Sequence, residues 1–556
     1  MKGFIKKYRI KIFSFFTALI IGISAISFTG NTSTDFELVK NLDIFASLVK
    51  ELSLYYVDDV DYGETIKKGI DEMLKSLDPY TVYIPESQIE DLTFMTTGQY
   101  GGIGALIREK GEYVVISQPY KDFPADKAGL KAGDVLMEVD GVSLKDKSTS
   151  EVSELLKGQP NTEVKLKVKR AVSEEVEKVS FEREKVQVDP LPYHGMLNDE
   201  VGYIRLSNFT REAGKKVEEA AKELKEEEQA SALVIDLRNN PGGLLVEAVK
   251  LCNLFVPQGT MVVSTKGKVE RWNKDYKANM KPYDKEIPIV ILVNNRSASA
   301  SEIVAGCMQD IDRGVVIGKR TFGKGLVQTT RELSYNTKLK VTTAKYYIPS
   351  GRCIQALDYT HRNKDGSVGR IPDSIKSEFK TENGRTIYDG GGIMPDIETE
   401  ENILSKISSH LLQAHMIFEY ANQYHYNHES IGDPENFSVD DKTYQDFVDF
   451  LNDKSFDYET RSEEHLQELV DIAKQEKYYE VAGDEFSALA EKIAHDREKD
   501  LELFKDEIKN LLAEEIIGRY YYRKGKIKYN LKSDPEIEKA MEVLDSPEKT
   551  KEILTP

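Results

Sequence analysis

The chain has 556 residues, of which 40% are hydrophobic and 31% charged, with a net charge of −19. It is long enough for three or four domains, each with its own core, and its acidity argues against a general nucleic-acid binder, which needs a basic field. Residues 401–556 hold 36 acidic and 20 basic side chains, so the first 400 residues are near neutral, and three cysteines (Cys252, Cys307, Cys353) are too few and too odd in number for a disulfide scaffold.

In chain order, "MKGFIKKYRIK" carries five basic side chains, and an apolar run from Ile12 to Phe28 follows with no further charge until Asp35. This predicts a signal or anchor segment over 1–34, its basic end retained inside and the remainder exported to the periplasm or cell envelope. No clean A-x-A site follows the run, which favours an uncleaved membrane anchor. Residues 35–95 read as an N-terminal helical region, with Leu42, Ile44, Phe45, Leu48, Val49 and Leu52 at helical spacing until "KSLDPYTVYIP" breaks the pattern. Over 96–186 the period changes to short apolar strands divided by glycine turns, in "GGIGALI", "YVVISQP", "DVLMEVDG" and "VKLKVKR". From 187 to 400, apolar runs such as "VGYIRL", "ALVIDLR", "IPIVILVN" and "GVVIG" alternate with helical stretches, the pattern of an α/β core. The acidic extension 401–556 is helical again, with Phe486, Leu489, Ile493, Leu501, Phe504, Ile508, Leu512 and Ile516 in register. Its tyrosine clusters, "YANQYHYNH" and "RYYYRKGKIKY", suit a homo-oligomer contact or an adaptor. His425 and His428 lack the Cys or carboxylate spacing that would complete a metal site, and no metal is expected.

Three stretches carry chemistry. "NNRSASASE" follows a buried apolar run, and Ser299 with Glu302 fits the S-x-x-E capping box that opens a helix. A serine at a strand-to-helix turn is also placed as a nucleophile, because a helix N-terminus favours a nearby oxyanion. "VIDLRNNPGG" ends a strand in Gly242 and Gly243, whose N–H groups have no side chain in the way. No histidine lies between 200 and 350: His194 precedes that region and His361 follows it. A lysine base is the remaining choice, and its pKa, ordinarily near 10.4, has to be lowered by burial. Lys324 stands in "GKRTFGKG", one residue from a nucleotide-binding loop. Gly325 replaces the Ser or Thr that holds magnesium, and the strand-like "LVQTT" follows instead of a helix.

Taken together, "LDPYTVYI", "GGIGALI", "DLRNNPGG", "SASASEIVAG", "TFGKGLVQ", "YYIPSGRCIQ" and "GGIMPDI" stand in the order of the carboxyl-terminal processing peptidases, the tail-specific proteases, which the chain resembles over about residues 36–400. The resemblance implies a multi-domain α/β fold: a PDZ domain at 96–186, a crotonase-like β/α serine protease core at 187–400, and helical segments at both ends. It implies Ser299 as nucleophile, Lys324 as general base and Gln328 as the residue that orients Lys324. Ala300, with Gly242 or Gly243, would supply the oxyanion hole. Gly102, Ile103 and Gly104 would cradle the carboxylate of a peptide that adds as a strand, and Arg170 would report peptide occupancy. No cofactor is implied, and the partners are proteins or peptides with free C-termini. The tail from 401 onward is not part of the resembling core. Two other readings compete: a catalytically silent PDZ scaffold or chaperone, against which the intact Ser, Lys, Gln and glycine turn speak, and a thioester-binding relative that would take coenzyme A.

Overall fold

The computed structural model describes residues 32–556 except 364, 366, 401, 402, 453, 455–457 and 459. The apolar run expected to act as anchor lies outside the described residues, among which no helix is long and apolar enough to cross a membrane.

The chain divides into two units, 1–76 and 77–556. The first holds helices α1 (Thr32–Tyr55) and α2 (Tyr62–Lys75). α2 begins at Asp61, whose side chain accepts from the Glu64 N–H, and it stops just before Asp78-Pro79, where the proline disfavours helix at the preceding residue. Along α1, Phe36, Leu42, Phe45 and Leu48 remain exposed.

In the second unit, β1 (Val82–Ile84) precedes a strand-rich domain. That domain contains β2 (Ala105–Lys110), β3 (Tyr113–Pro119), β4 (Val135–Val139), helix α3 (Thr149–Leu156), β5 (Glu163–Lys169) and β6 (Val176–Glu182). The strands pair in the order β2-β3-β4-β5-β6, all antiparallel, so β2 is an edge. Alternate residues, among them Val114, Ile116, Leu136, Val164, Leu166 and Val168, turn inward to a core closed by Val152 and Leu156 of α3.

The α/β core is a second sheet in the order β7 (Tyr193–Met196), β8 (Val201–Arg205), β9 (Ala232–Asp236), β12 (Ile289–Val293), β13 (Val315–Gly318) and β16 (Ile397–Glu398). All of these pairings are parallel except β7 with β8. A parallel sheet is covered on both faces, which is why its strands read as continuous apolar runs. Leu233, Ile235, Ile289, Ile291 and Val293 face helices α4 (Ala213–Lys222), α5 (Leu245–Phe255) and α6 (Ala300–Asp310). Cys252 and Cys307, on α5 and α6, are buried in this layer as packing residues.

The alternate residues Tyr203, Val234, Val290, Leu292 and Ile317 face the other way. They are covered by Ile537, Ala540 and Val543 of a helix near the end of the chain, α9 (Pro535–Leu544). The extension beyond residue 400 therefore supplies one of the three layers of the core. Its other helices include α7 (Met416–Asn427) and α8 (Lys505–Asn530), the latter kinked at Tyr522. They pack around their own apolar centre, from Ile417 and Phe447 to Leu512 and Ile516. These helices also reach the strand-rich domain: the Arg108 guanidinium lies 3.6 Å over the Phe418 ring, Lys110 pairs with Glu419 at 2.7 Å, and the Tyr522 hydroxyl donates to Asp126 at 2.7 Å.

A third sheet, β1-β15-β10-β11, joins β1 to β15 (Lys338–Tyr347), β10 (Met261–Gly267) and β11 (Lys274–Lys277), and β14 (Leu326–Glu332) pairs with β15. It places Val82 opposite Lys340 and Gln328 opposite Thr342, so β1 and β14 flank β15 on its two edges.

Candidate active site

Three turns at the carboxyl ends of the parallel strands meet here, as the switch-point rule for open α/β sheets leads one to expect. The first follows β9. Asn240 caps it internally: Oδ1 accepts from the Gly242 N–H at 2.9 Å, and Nδ2 donates to the Leu206 carbonyl at 2.9 Å. Phe209 N–H donates to the Gly242 carbonyl at 2.9 Å and Leu244 N–H to the Phe209 carbonyl at 2.8 Å, which clips the turn to the neighbouring loop. Among the described residues the N–H groups of Gly243 and Ala300 have no protein acceptor, whereas that of Gly242 is engaged.

The second turn follows β12 and holds the serine triple, whose members differ. Ser297 accepts from the Asn294 N–H at 2.9 Å and donates to the Leu237 carbonyl at 2.8 Å. Ser301 donates to the Asn240 carbonyl at 2.9 Å, beside the Ala298 N–H, which donates to the same oxygen at 3.0 Å. Both outer serines thus bind the glycine turn to the serine turn. Ser299, between them, is half-exposed and has φ 56° and ψ −110°, far from the extended conformation of an ordinary N-cap and costly for any residue with a Cβ. A Cβ on Gly242 would stand 2.8 Å from Ser299 Cβ and 2.9 Å from Ala300 N. The close approach of the two turns is possible because Gly242 has no side chain.

The third turn follows β13 and carries Lys324. Glu302, fully buried on α6, draws this turn to the second. Its Oε1 accepts from the Thr321 hydroxyl at 2.5 Å and the Gly323 N–H at 2.7 Å; its Oε2 accepts from the Ser299 N–H at 2.8 Å and the Lys324 N–H at 2.9 Å. Four donors and no acceptor define it as a carboxylate, although burial pushes its pKa up. The capping-box reading found this residue but only its contact within α6; its reach to residues 321–324 has no local signature. Tyr346, fully buried on β15, donates to the Ser299 carbonyl at 3.1 Å.

The Lys324 ammonium group lies 4.3 Å from the centroid of the Tyr80 ring and forms no hydrogen bond or ion pair among the described residues. Burial, reinforced by the like charge of Lys340, lowers its pKa to about 8, against the smaller opposing pull of Glu302 and Asp78. Gln328 donates from Nε2 to the Thr342 hydroxyl at 3.3 Å, and Thr342 in turn meets the Thr81 hydroxyl at 3.4 Å. Its side chain is not hydrogen-bonded to Lys324 in this arrangement. No histidine hydrogen-bonds Ser299 among the described residues: His194 contacts Glu223 and His361 contacts Asp358. His425 packs on Tyr520 while His428 stacks on Tyr424, so the two do not converge on one point.

In the strand-rich domain, Ile103 is buried, and the carbonyls of Ile103 and Gly104 turn inward to accept from Ala125 and Tyr120, each at 2.8 Å. Gly104 has φ +71°, and a Cβ there would meet Phe123 at 2.5 Å. Gly102 closes a strand pair with Glu184. The Tyr100 phenol lies against the N–H groups of Gly104 and Ala105, whose donation partly offsets the burial that pushes its pKa up. Arg170 donates to Asp134 at 2.7 Å, Glu177 at 2.7 Å and the Gly129 carbonyl at 3.1 Å. It lines a cavity of about 470 Å³ shared with Asn422, His425 and Tyr522, and none of its contacts reaches the three turns.

The peptidase family S41 model matches residues 200–361, a PDZ domain model matches 115–170, and a model described as "Probable PDZ-protease, C-terminal helical domain" matches 407–544. Fold and matches together define a PDZ-bearing serine-type peptidase. A carboxy-terminal-processing protease of Bartonella bacilliformis is 32% identical over 355 residues, 63% of this chain and 81% of that protein. A "Probable CtpA-like serine protease" of Staphylococcus aureus is 38% identical over 320 residues, 56% of this chain and 62% of that protein. A solved photosystem II D1 C-terminal processing protease is 28% identical and covers 63% of this chain and 85% of its own, with a TM-score of 0.36. The chain belongs to the carboxy-terminal-processing proteases of peptidase family S41.

Proposed function

We propose that the protein is an exported, membrane-tethered endopeptidase that captures unstructured C-terminal ends in its PDZ domain and cleaves them through an acyl-enzyme on Ser299. The observation that carries this reading is the buried Glu302 carboxylate, which accepts from the N–H groups of both Ser299 and Lys324, with Lys324 held at a pKa of about 8. In the reaction, Lys324 swings from the Tyr80 ring to Ser299, and its neutral amine takes the hydroxyl proton as Oγ attacks the scissile carbonyl. The tetrahedral oxyanion is met by the N–H groups of Ala300 and Gly243, the pair left without a protein acceptor. Collapse breaks the C–N bond, and Lys324 returns the proton to the leaving amine. Water, deprotonated by Lys324, then hydrolyses the ester. Gln328 steadies the lysine indirectly, through Thr342 and Thr81 beside Tyr80. The peptide adds to the free edge of β2, its carboxylate displacing the Tyr100 hydroxyl from the Gly102–Ala105 loop. Export and tethering rest on the basic stretch and apolar run of residues 2–28.

The test is mass spectrometry of an unstructured protein with an apolar C-terminus, incubated with the chain and with its Ser299→Ala and Lys324→Ala variants. Cleavage by the parent alone, with the variants' melting temperatures within a few degrees of it, is expected. Substantial cleavage by folded Lys324→Ala would remove the lysine from the role of base. Binding without cleavage by the parent would favour the scaffold reading.

A further inference from the structure

Arg238 belongs to the glycine turn, four residues before Gly242, and its side chain does not face Ser299. It is enclosed by three carboxylates with 11% of its surface exposed. One is local: Asp236 accepts from Nη2 at 2.7 Å and from Nε at 3.0 Å. Two come from the far end of the chain: Asp534 lies 2.7 Å from Nη2, and Glu536 accepts from Nη1 at 2.5 Å. Asp534 is also the N-cap of α9, accepting from the N–H groups of Glu536 and Ile537. The opposite carboxylate oxygen of Glu536 accepts from the Thr399 hydroxyl at 2.9 Å. The helix is anchored independently by Ile537, Ala540 and Val543 against the sheet, so its N-terminus is a fixed point and not a flexible arm.

From Arg238 the connection runs on without a gap. Asn239 N–H donates to Asn294 at 2.9 Å, Ser297 donates to the Leu237 carbonyl, and Ser301 and Ala298 donate to the Asn240 carbonyl. The segment that presents the Gly243 N–H is therefore held from one side by the serine turn and from the other by α9.

We infer that Asp534 and Glu536 of the C-terminal helical domain are positioning residues for the oxyanion turn: by fixing Arg238 they set where the Gly243 N–H points. This rests on the Ser299–Lys324 reading. Oxyanion donors act only in the transition state, and loss of one costs on the order of 10²–10³ in kcat; a donor displaced but still present should cost less. The substitutions that test the idea keep shape and capping, because Asn caps a helix about as well as Asp.

The experiment measures kcat and KM on a peptide substrate, and the affinity for a peptide boronate, for the full-length chain in detergent, Asp534→Asn/Glu536→Gln, Glu536→Gln alone, Glu538→Gln and Ser299→Ala. The expected result for the double variant is a roughly tenfold fall in kcat and in boronate affinity, with KM within about twofold. Glu536→Gln should move the same way by less, and Glu538→Gln, exposed on the same helical turn, should match the parent. A double variant with parental kcat, or with a change confined to KM, overturns the inference. If the double variant does not fold, Glu536→Gln decides by the same criteria. Activity surviving in Ser299→Ala would instead refute the catalytic reading beneath it.

Discussion

At the scale of single residues, the mechanism proposed above makes the protonation of Lys324 set the working pH. Its folded-state pKa is about 8, and only the neutral amine accepts the Ser299 proton. Cleavage should therefore rise as pH passes upward through about 8 and level off above it. Lys340 contributes to that lowering by like-charge repulsion. Lys340→Gln should move the apparent pKa of kcat/KM upward and reduce activity at neutral pH; a profile that stays put or moves down would show that Lys340 does not act on Lys324. Tyr80 works in the opposite direction, since a ring face stabilises the ammonium. The lysine rests between a cation that expels its charge and an aromatic ring that tolerates it.

At the scale of elements, the decisive contact is between two turns. Gly242 has φ +99°, and a Cβ there would lie 2.6 Å from the Ala298 carbonyl and 2.8 Å from Ser299 Cβ. Neither neighbour is a flexible side-chain end, so Gly242→Ala should push the serine turn away and reduce cleavage by at least about a hundredfold, the scale of a lost oxyanion donor. Parental kcat in that variant would contradict the packing. This contact was legible in the sequence only as two small-residue turns, "RNNPGG" and "SASAS", because glycines and serines state that backbones can approach without stating which will. The strands were legible from their apolar period, and the turns that carry Ser299 and Lys324 from motif order. The remaining roles were not. Glu302 looked like a capping residue, since its contacts at 321–324 lie beyond the reach of helical spacing. Which of Gly242 and Gly243 keeps an unengaged N–H depends on the Asn240 side chain, which accepts from Gly242. The ties from Arg238 to Asp534 and Glu536 span almost 300 residues, a distance over which a lone chain carries no pairing signal.

At the scale of the whole molecule, the acidic extension is bound into the catalytic core. Chain ending near residue 400 would leave Tyr203, Val234, Leu292 and Ile317 without their cover, an apolar surface that invites association. Such a truncation should be recovered as aggregate, and a monomeric, active 1–400 protein would show the third layer to be dispensable. A gentler version is Ile537→Ala, which leaves a cavity on the sheet and should cost about 2–5 kcal/mol in urea unfolding. Less than about 1 kcal/mol would mean that α9 rests on the sheet loosely. The same extension touches the PDZ domain through Phe418, Glu419 and Tyr522, so one helical domain braces both the PDZ domain and the protease core.

The backbone of Ser299, at φ 56° and ψ −110°, occupies a region that glycine enters freely and serine enters at a cost of about 1–3 kcal/mol. Thermodynamically, this is the wrong amino acid for its place. Under the proposed mechanism selection for cutting keeps it there, and a descendant relieved of that duty would gain stability by replacing this one serine with glycine, while its two neighbours, tied into the turns, would stay.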